Sequence, residues 1–130
     1  MQWPLSLLLG RLAVNAPNAQ LRDPPTATLT NGTYIGLAVP SFGQELFLGM
    51  PFAQPPLPPD LRFRAPLPFN NSWSGARNAT AYSPFCVGFP RAGSSDDEEY
   101  AHSEDCLTVN VVRPAGIKEG SNIPVVAWIQ

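Results

Sequence analysis

The chain has 130 residues, room for one modest domain, and with 44% hydrophobic and 14% charged residues it is too apolar for charge-driven disorder. Sixteen prolines, against an ordinary share of about 5%, exclude long helices over most of its length. A formal net charge of −2 provides no field to hold nucleic acid or an anionic membrane, so neither is expected as a partner.

Met1 to Ala16 is read apart from the rest. Leu5, Leu7, Leu8 and Leu9 form a short apolar centre, extended by Leu12, Ala13 and Val14, and the small-residue tail ends at Ala16. The pattern resembles a secretory signal peptide over 1–16, although no Lys or Arg precedes the apolar run and Arg11 interrupts it. A misread start codon gives the same look. A spanning helix needs roughly 20 mostly apolar residues, so no membrane anchor is predicted. The mature part is then residues 17–130, secreted. Three sequons point the same way: Asn31-Gly32-Thr33, Asn70-Asn71-Ser72 and Asn78-Ala79-Thr80 are candidate N-glycosylation sites.

Thr26 to Thr30 has the threonine-rich character of a strand, and Asn31-Gly32 marks a tight turn. Thr33 to Val39 is predicted as a second strand, Pro40 to Gln44 as a loop and Glu45 to Gly49 as a third strand. The start therefore reads as a small antiparallel meander. Prolines dominate from Met50 to Pro68, each fixing φ and removing a donor. Phe47, Met50, Phe52, Leu57, Leu61, Phe63 and Phe69 interleave with them, which predicts a wrap buried against a surface.

Asp96-Asp97-Glu98-Glu99 reads as a solvated loop, because a calcium site needs more oxygen ligands at defined spacing. Leu107 to Val112 alternates like a half-buried strand ended by Arg113-Pro114. A polar loop over 115–122 follows. Pro124 to Ile129 is nearly all apolar and is predicted as a strand buried on both faces. No helix follows to cover it, so the sequence reads as needing more chain or a partner.

Cys86 and Cys106 are the only cysteines. In a secreted chain an even pair reads as a disulfide, and in a cytosolic one as two buried thiols. His102 is the only histidine and there is no third cysteine, which excludes a zinc site. No G-x-S-x-G elbow, phosphate loop or dinucleotide fingerprint is present. No catalytic residue and no cofactor or metal site is therefore assigned.

Several blocks, in order, resemble the amino-terminal part of the type-B carboxylesterase/lipase family, which includes the cholinesterases. Asn31-Gly32-Thr33-Tyr34-Ile35-Gly36 resembles the family's opening hairpin, and Phe47-Leu48-Gly49-Met50-Pro51-Phe52-Ala53-Gln54-Pro55-Pro56 its F-x-G-I-P-[YF]-A-x-P-P block. Leu61-Arg62-Phe63-Arg64 and Trp73-Ser74-Gly75 follow in the family's order. Glu104-Asp105-Cys106-Leu107-Thr108-Val109-Asn110-Val111 resembles the signature E-D-C-L-x-[LIV]-N-[VI], and Pro124 to Ile129 the strand that delivers the oxyanion loop. Met50 in place of the commoner Ile, and Gln130 in place of His, Tyr or Phe, depart from the pattern.

The resemblance implies the α/β class and an α/β-hydrolase fold, of which this chain holds only the β-rich beginning: meander, Pro-rich wrap and first strands of the main sheet. It implies a disulfide between Cys86 and Cys106 and an ion pair between Arg62 and Glu104. It implies hydrolysis of carboxylic esters through an acyl-serine intermediate, with an ester as the only small-molecule partner. The family's nucleophile, acid and histidine lie further along than Gln130, so this chain by itself is expected to be inactive. A non-catalytic adhesion member of the same fold predicts the same residues, and a stand-alone regulatory fragment that docks onto a full-length relative through its exposed strands is a further alternative. The loop between the cysteines, with Phe89, Pro90, Gly93 and Tyr100, looks more polar than an apolar lid and leans towards an esterase.

Overall fold

A computed structural model describes residues 23–57, 61–88 and 101–129. Residues 1–16, expected to be a signal peptide, the acidic run and Phe89, Pro90, Gly93, Tyr100 and Gln130 lie outside the described residues.

Proline-interrupted, extended sequence gives eight strands among the described residues. β1 (Thr26–Leu29) and β2 (Gly32–Ile35) form an antiparallel hairpin whose turn residues are Thr30 and Asn31, one position ahead of the predicted Asn31-Gly32, because Gly32 already pairs with Leu29; β2 also pairs in parallel with β5 (Ala76–Asn78). A second sheet is fully antiparallel, in the order β3 (Leu37–Val39), β4 (Gln44–Pro51), β8 (Thr108–Pro114). The short strands β6 (Phe85–Cys86) and β7 (His102–Ser103) pair in parallel. Tyr34, Phe47, Met50 and Ala79 are the buried core, with Ala27 and Trp73 packed against it. Phe47 is its most enclosed large side chain, 2% exposed.

The predicted meander needs correction at Gly36. Thr33 to Val39 is not one strand, because the chain leaves the first sheet after Ile35 and enters the second at Leu37. At the crossing a Cβ on Gly36 would stand 2.4 Å from the Leu46 carbonyl oxygen and 2.9 Å from the Phe47 ring. Only glycine lets the backbones approach that closely. The Gly36 N–H donates to the Pro25 carbonyl at 2.8 Å, which closes the crossing.

β4 runs longer than predicted and carries a bulge. Phe47 faces Val111 and Met50 faces Val109, so Leu48 and Gly49 together oppose Asn110. Leu48 N–H donates to Ala79 at 2.9 Å instead of to β8, and Gly49 N–H donates to Asn110 Oδ1 at 2.8 Å. Gly49 has φ 66°, and a Cβ there would lie 2.7 Å from the Ala81 carbonyl oxygen.

Two further expectations are corrected. The Pro-rich wrap is held by Gln54 N–H to Leu67 and by an isolated bridge between Ala53 and Pro68, but among its described residues only Met50 and Ala53 have buried side chains. Phe52, Leu57 and Phe63 are exposed, because no described element lies over them. Pro124 to Ile129 joins no ladder, and Val125, Val126, Trp128 and Ile129 are 87–93% exposed. Apolar, β-favouring sequence becomes a buried strand only when a neighbour supplies hydrogen bonds and a covering face.

Gly49→Ala combines a left-handed φ with a backbone clash and is expected to cost about 2 kcal/mol or more in urea unfolding. A loss below about 0.5 kcal/mol would show that the bulge is not the tight joint described.

Candidate functional site: the signature strand and its anchors

Four of the residues singled out in the sequence, Cys86, Cys106, Arg62 and Glu104, gather ahead of β8. Ahead of it, Cys86 and Cys106 form a disulfide with their Cα atoms 5.1 Å apart, tying β6 to the turn that leads into β8. The β6–β7 pair beside it aligns Phe85 with His102 and Cys86 with Ser103. Closing a loop of this length restricts the unfolded chain by an amount worth roughly 3 kcal/mol in the loop-entropy view.

Arg62 Nη2 donates to Glu104 Oε1 and joins the Pro-rich wrap to the signature. The side chains are 47% and 36% exposed. Water competes with such a pair, so it contributes about 0–1 kcal/mol. Next to it the Asp105 N–H donates to Ser103 Oγ at 3.0 Å, and the Ser83 and Thr108 hydroxyls meet at 2.5 Å.

The sequence reading missed the stronger ionic node at the other end of β8. Arg113 Nε donates to Glu45 Oε2 at 2.7 Å with the side chains only 28% and 15% exposed. Arg113 Nη2 also donates to the Thr26 carbonyl at 3.2 Å, and its guanidinium lies 4.9 Å from the Phe47 ring centroid. The Gly116 N–H donates to the other Glu45 oxygen at 3.1 Å. One arginine thus links both main-sheet strands to β1. Burial pushes the Glu45 carboxyl up, but the Gly116 N–H and the hydrogen bond and charge of Arg113 outweigh it and hold the group below its ordinary range. Arg113 and Glu45 are 68 positions apart, and no local pattern pairs them.

The three sequon asparagines differ. Asn70 and Asn78 are exposed and make no side-chain hydrogen bond among the described residues. Asn31 is half-buried, and its Nδ2 donates to the carbonyls of Phe69 at 2.8 Å and Asn71 at 3.2 Å. Trp73 closes the same joint, donating its backbone N–H to Asn31 at 3.0 Å and its indole N–H to Thr33 at 3.2 Å. Its ring meets Tyr34 edge-on at 5.0 Å, and the Arg77 guanidinium sits 4.2 Å from the ring centroid.

A groove of about 580 Å³ lies beside this joint, lined by Leu29, Tyr34, Met50, Phe69, Trp73 and Val109 together with threonine hydroxyls. Among the described residues its lining contains no histidine or carboxylate. Burial pushes the Tyr34 hydroxyl up against the opposing charge of Arg77, and the phenol stays neutral near pH 7. His102 is exposed, its ring 6.2 Å from that of Phe85. Among the described residues no group of His, Cys, Asp and Glu could hold a metal ion, and no helix is long and apolar enough to cross a membrane. What these residues do together is structural: they position β8 and the wrap.

Removing the carboxylate in Glu45→Gln is expected to cost about 2 kcal/mol at pH 7, whereas Arg62→Ala is expected to cost less than about 1 kcal/mol. A depressed carboxyl stabilises the fold above its unfolded pKa, about 4.3 for glutamate, and that contribution fades as pH falls through the lower folded value. The difference between wild type and Glu45→Gln in urea midpoint should therefore shrink on acidification below that range. A difference that is constant from pH 7 down to pH 2 would contradict the assignment.

The carboxylesterase family model matches residues 23–130. Lipase 4 of Diutina rugosa is 42% identical over 123 residues, covering 81% of this chain and 22% of the lipase. Liver carboxylesterase 1 of Oryctolagus cuniculus is 34% identical over 140 residues, covering 98% of this chain and 24% of the relative. The crystal structure of Aspergillus niger EstA superposes with a TM-score of 0.64 at 36% identity, over 78% of this chain and 18% of EstA. The chain thus spans about a quarter of the length of the curated relatives it matches. Its strands are a β-rich part of the α/β-hydrolase fold seen in these esterases, and the chain belongs to the carboxylesterase family.

Proposed function

We propose that this chain supplies the amino-terminal scaffold of a secreted serine carboxylic ester hydrolase, and that the 130-residue chain alone hydrolyses no ester. The observation that carries the reading is the signature strand β8, fixed by the Cys86–Cys106 disulfide and met by the family's Pro-rich block, inside a family match over 23–130. Hydrolysis by an acyl-serine route needs a nucleophile, a base beside it and donors facing the developing oxyanion. The side chains described here instead anchor strands, and the one histidine, His102, has no hydroxyl or thiol partner among the described residues. The disulfide, the leader-like residues 1–16 and the sequons support an oxidising, extracellular destination. The relatives include both lipases and carboxylesterases, so the substrate class is a carboxylic ester of unspecified acyl length.

The test is covalent labelling with a fluorophosphonate, which captures activated serines. The 130-residue chain should take up no label and release no nitrophenol from a nitrophenyl ester. A product of the same gene carried through the codons after Gln130 should be labelled on one serine. Labelling of the short chain would overturn its assignment as scaffold, and an extended product without a labelled serine would favour a non-catalytic member of the fold.

A further inference from the structure

The three sequons are equivalent by motif and differ in the fold. We propose that the folded protein carries N-linked oligosaccharide on Asn70 and Asn78 and none on Asn31, whose amide is instead a structural clamp. The inference rests on the secretory route proposed above.

N-glycosylation joins the asparagine Nδ2 to the anomeric carbon of a lipid-diphosphate-linked oligosaccharide. The new C–N bond replaces the bond from that carbon to the diphosphate, the lipid diphosphate departs, and one amide proton is lost. The acceptor nitrogen must therefore give up a hydrogen and accommodate a bulky, hydrated sugar. On Asn31 both donations from Nδ2 are in use, to Phe69 and to Asn71. Its Oδ1 accepts from the Thr30 hydroxyl at 2.9 Å, and its backbone carbonyl accepts from Trp73. A sugar on that nitrogen would remove one of the two donations and force apart the β1–β2 turn and the 69–73 segment, next to the core contact between Trp73 and Tyr34. A chain modified at Asn31 before folding could not close this joint.

Asn70 sits between the two carbonyls that Asn31 holds, and it is itself exposed. The clamp thus keeps the backbone of one sequon in place through the amide of another. Asn78 ends β5 with its side chain exposed, while the neighbouring Ala79 is buried at 2% and bonded through its N–H to Ile35 at 2.7 Å. A sugar at either position extends into solvent and disturbs no hydrogen bond.

The full chain is produced in a eukaryotic secretory host in two forms, one with its own first residues only and one with a cleavable leader ahead of Met1. In the second form, enzymatic deglycosylation in heavy-oxygen water should convert Asn70 and Asn78 to labelled Asp and leave Asn31 unlabelled in the folded monomer. Thr33→Ala, which removes the first sequon but keeps Asn31, should not change gel mobility. Ser72→Ala and Thr80→Ala should each remove one glycan step. Label on Asn31 in the folded monomer, or no label on Asn70 and Asn78 in the leader-bearing form, would overturn the inference. Retention of only the first form inside the cell would count against the native secretory route and leave the site assignment standing on the second form.

Discussion

A strand cannot insert an extra residue without stranding a backbone amide, and β4 inserts one in the middle of its pairing with β8. The structure meets that constraint with two acceptors from different places. Ala79 takes the Leu48 N–H, and Asn110 turns its side-chain oxygen to the Gly49 N–H. The bulge therefore becomes a three-way joint in which β4 holds β8 on one side and the segment after β5 on the other. Phe47, just ahead of the bulge, and Met50, just after it, both enter the core. Ala79, the acceptor, is buried among them. Packing and hydrogen bonding at this point depend on each other.

Other contacts extend the joint outward. Arg113 takes the far end of β8 to Glu45 on β4 and to the Thr26 carbonyl on β1, so both sheets share one cation. The disulfide fixes the near end of β8 to β6. The Asn31–Trp73 clamp secures the first hairpin to the chain that returns towards β5. Each anchor joins segments distant in sequence. This is how a chain with few buried side chains keeps its strands in register.

The family motifs made part of this readable in advance. The first hairpin (though its turn falls at Thr30-Asn31, not Asn31-Gly32), the start of β8 after Leu107 and the Cys86–Cys106 bridge follow from local turn chemistry, alternation and the resemblance. Arg62 and Glu104 are brought together as well, though on the surface. The split at Gly36 was hidden, because one apolar run looks the same whether it serves one sheet or two, and the close approach to Leu46 exists only in three dimensions. Asn110 carried a usable signal: a polar amide in the middle of a valine-rich strand is unfavourable unless it has a fixed partner. The Arg113–Glu45 pair and the second role of Asn31 depend on contacts across the sheets, which periodicity does not encode. Pro124 to Ile129 marks the opposite failure: the run predicted as a buried strand joins no ladder and is exposed, because β-favouring composition makes no strand without a neighbour, and none lies among the described residues.

The signature residues thus act as architecture: they hold strands in place. The most direct measurement of that claim is amide hydrogen exchange at Leu48 and Gly49, in wild type and in Asn110→Ala. Both amides should be as protected as that of Phe47 in wild type, and Gly49 should lose its protection first in the variant. Free exchange at Gly49 in the folded wild type, or no change on removing the Asn110 side chain, would contradict the account.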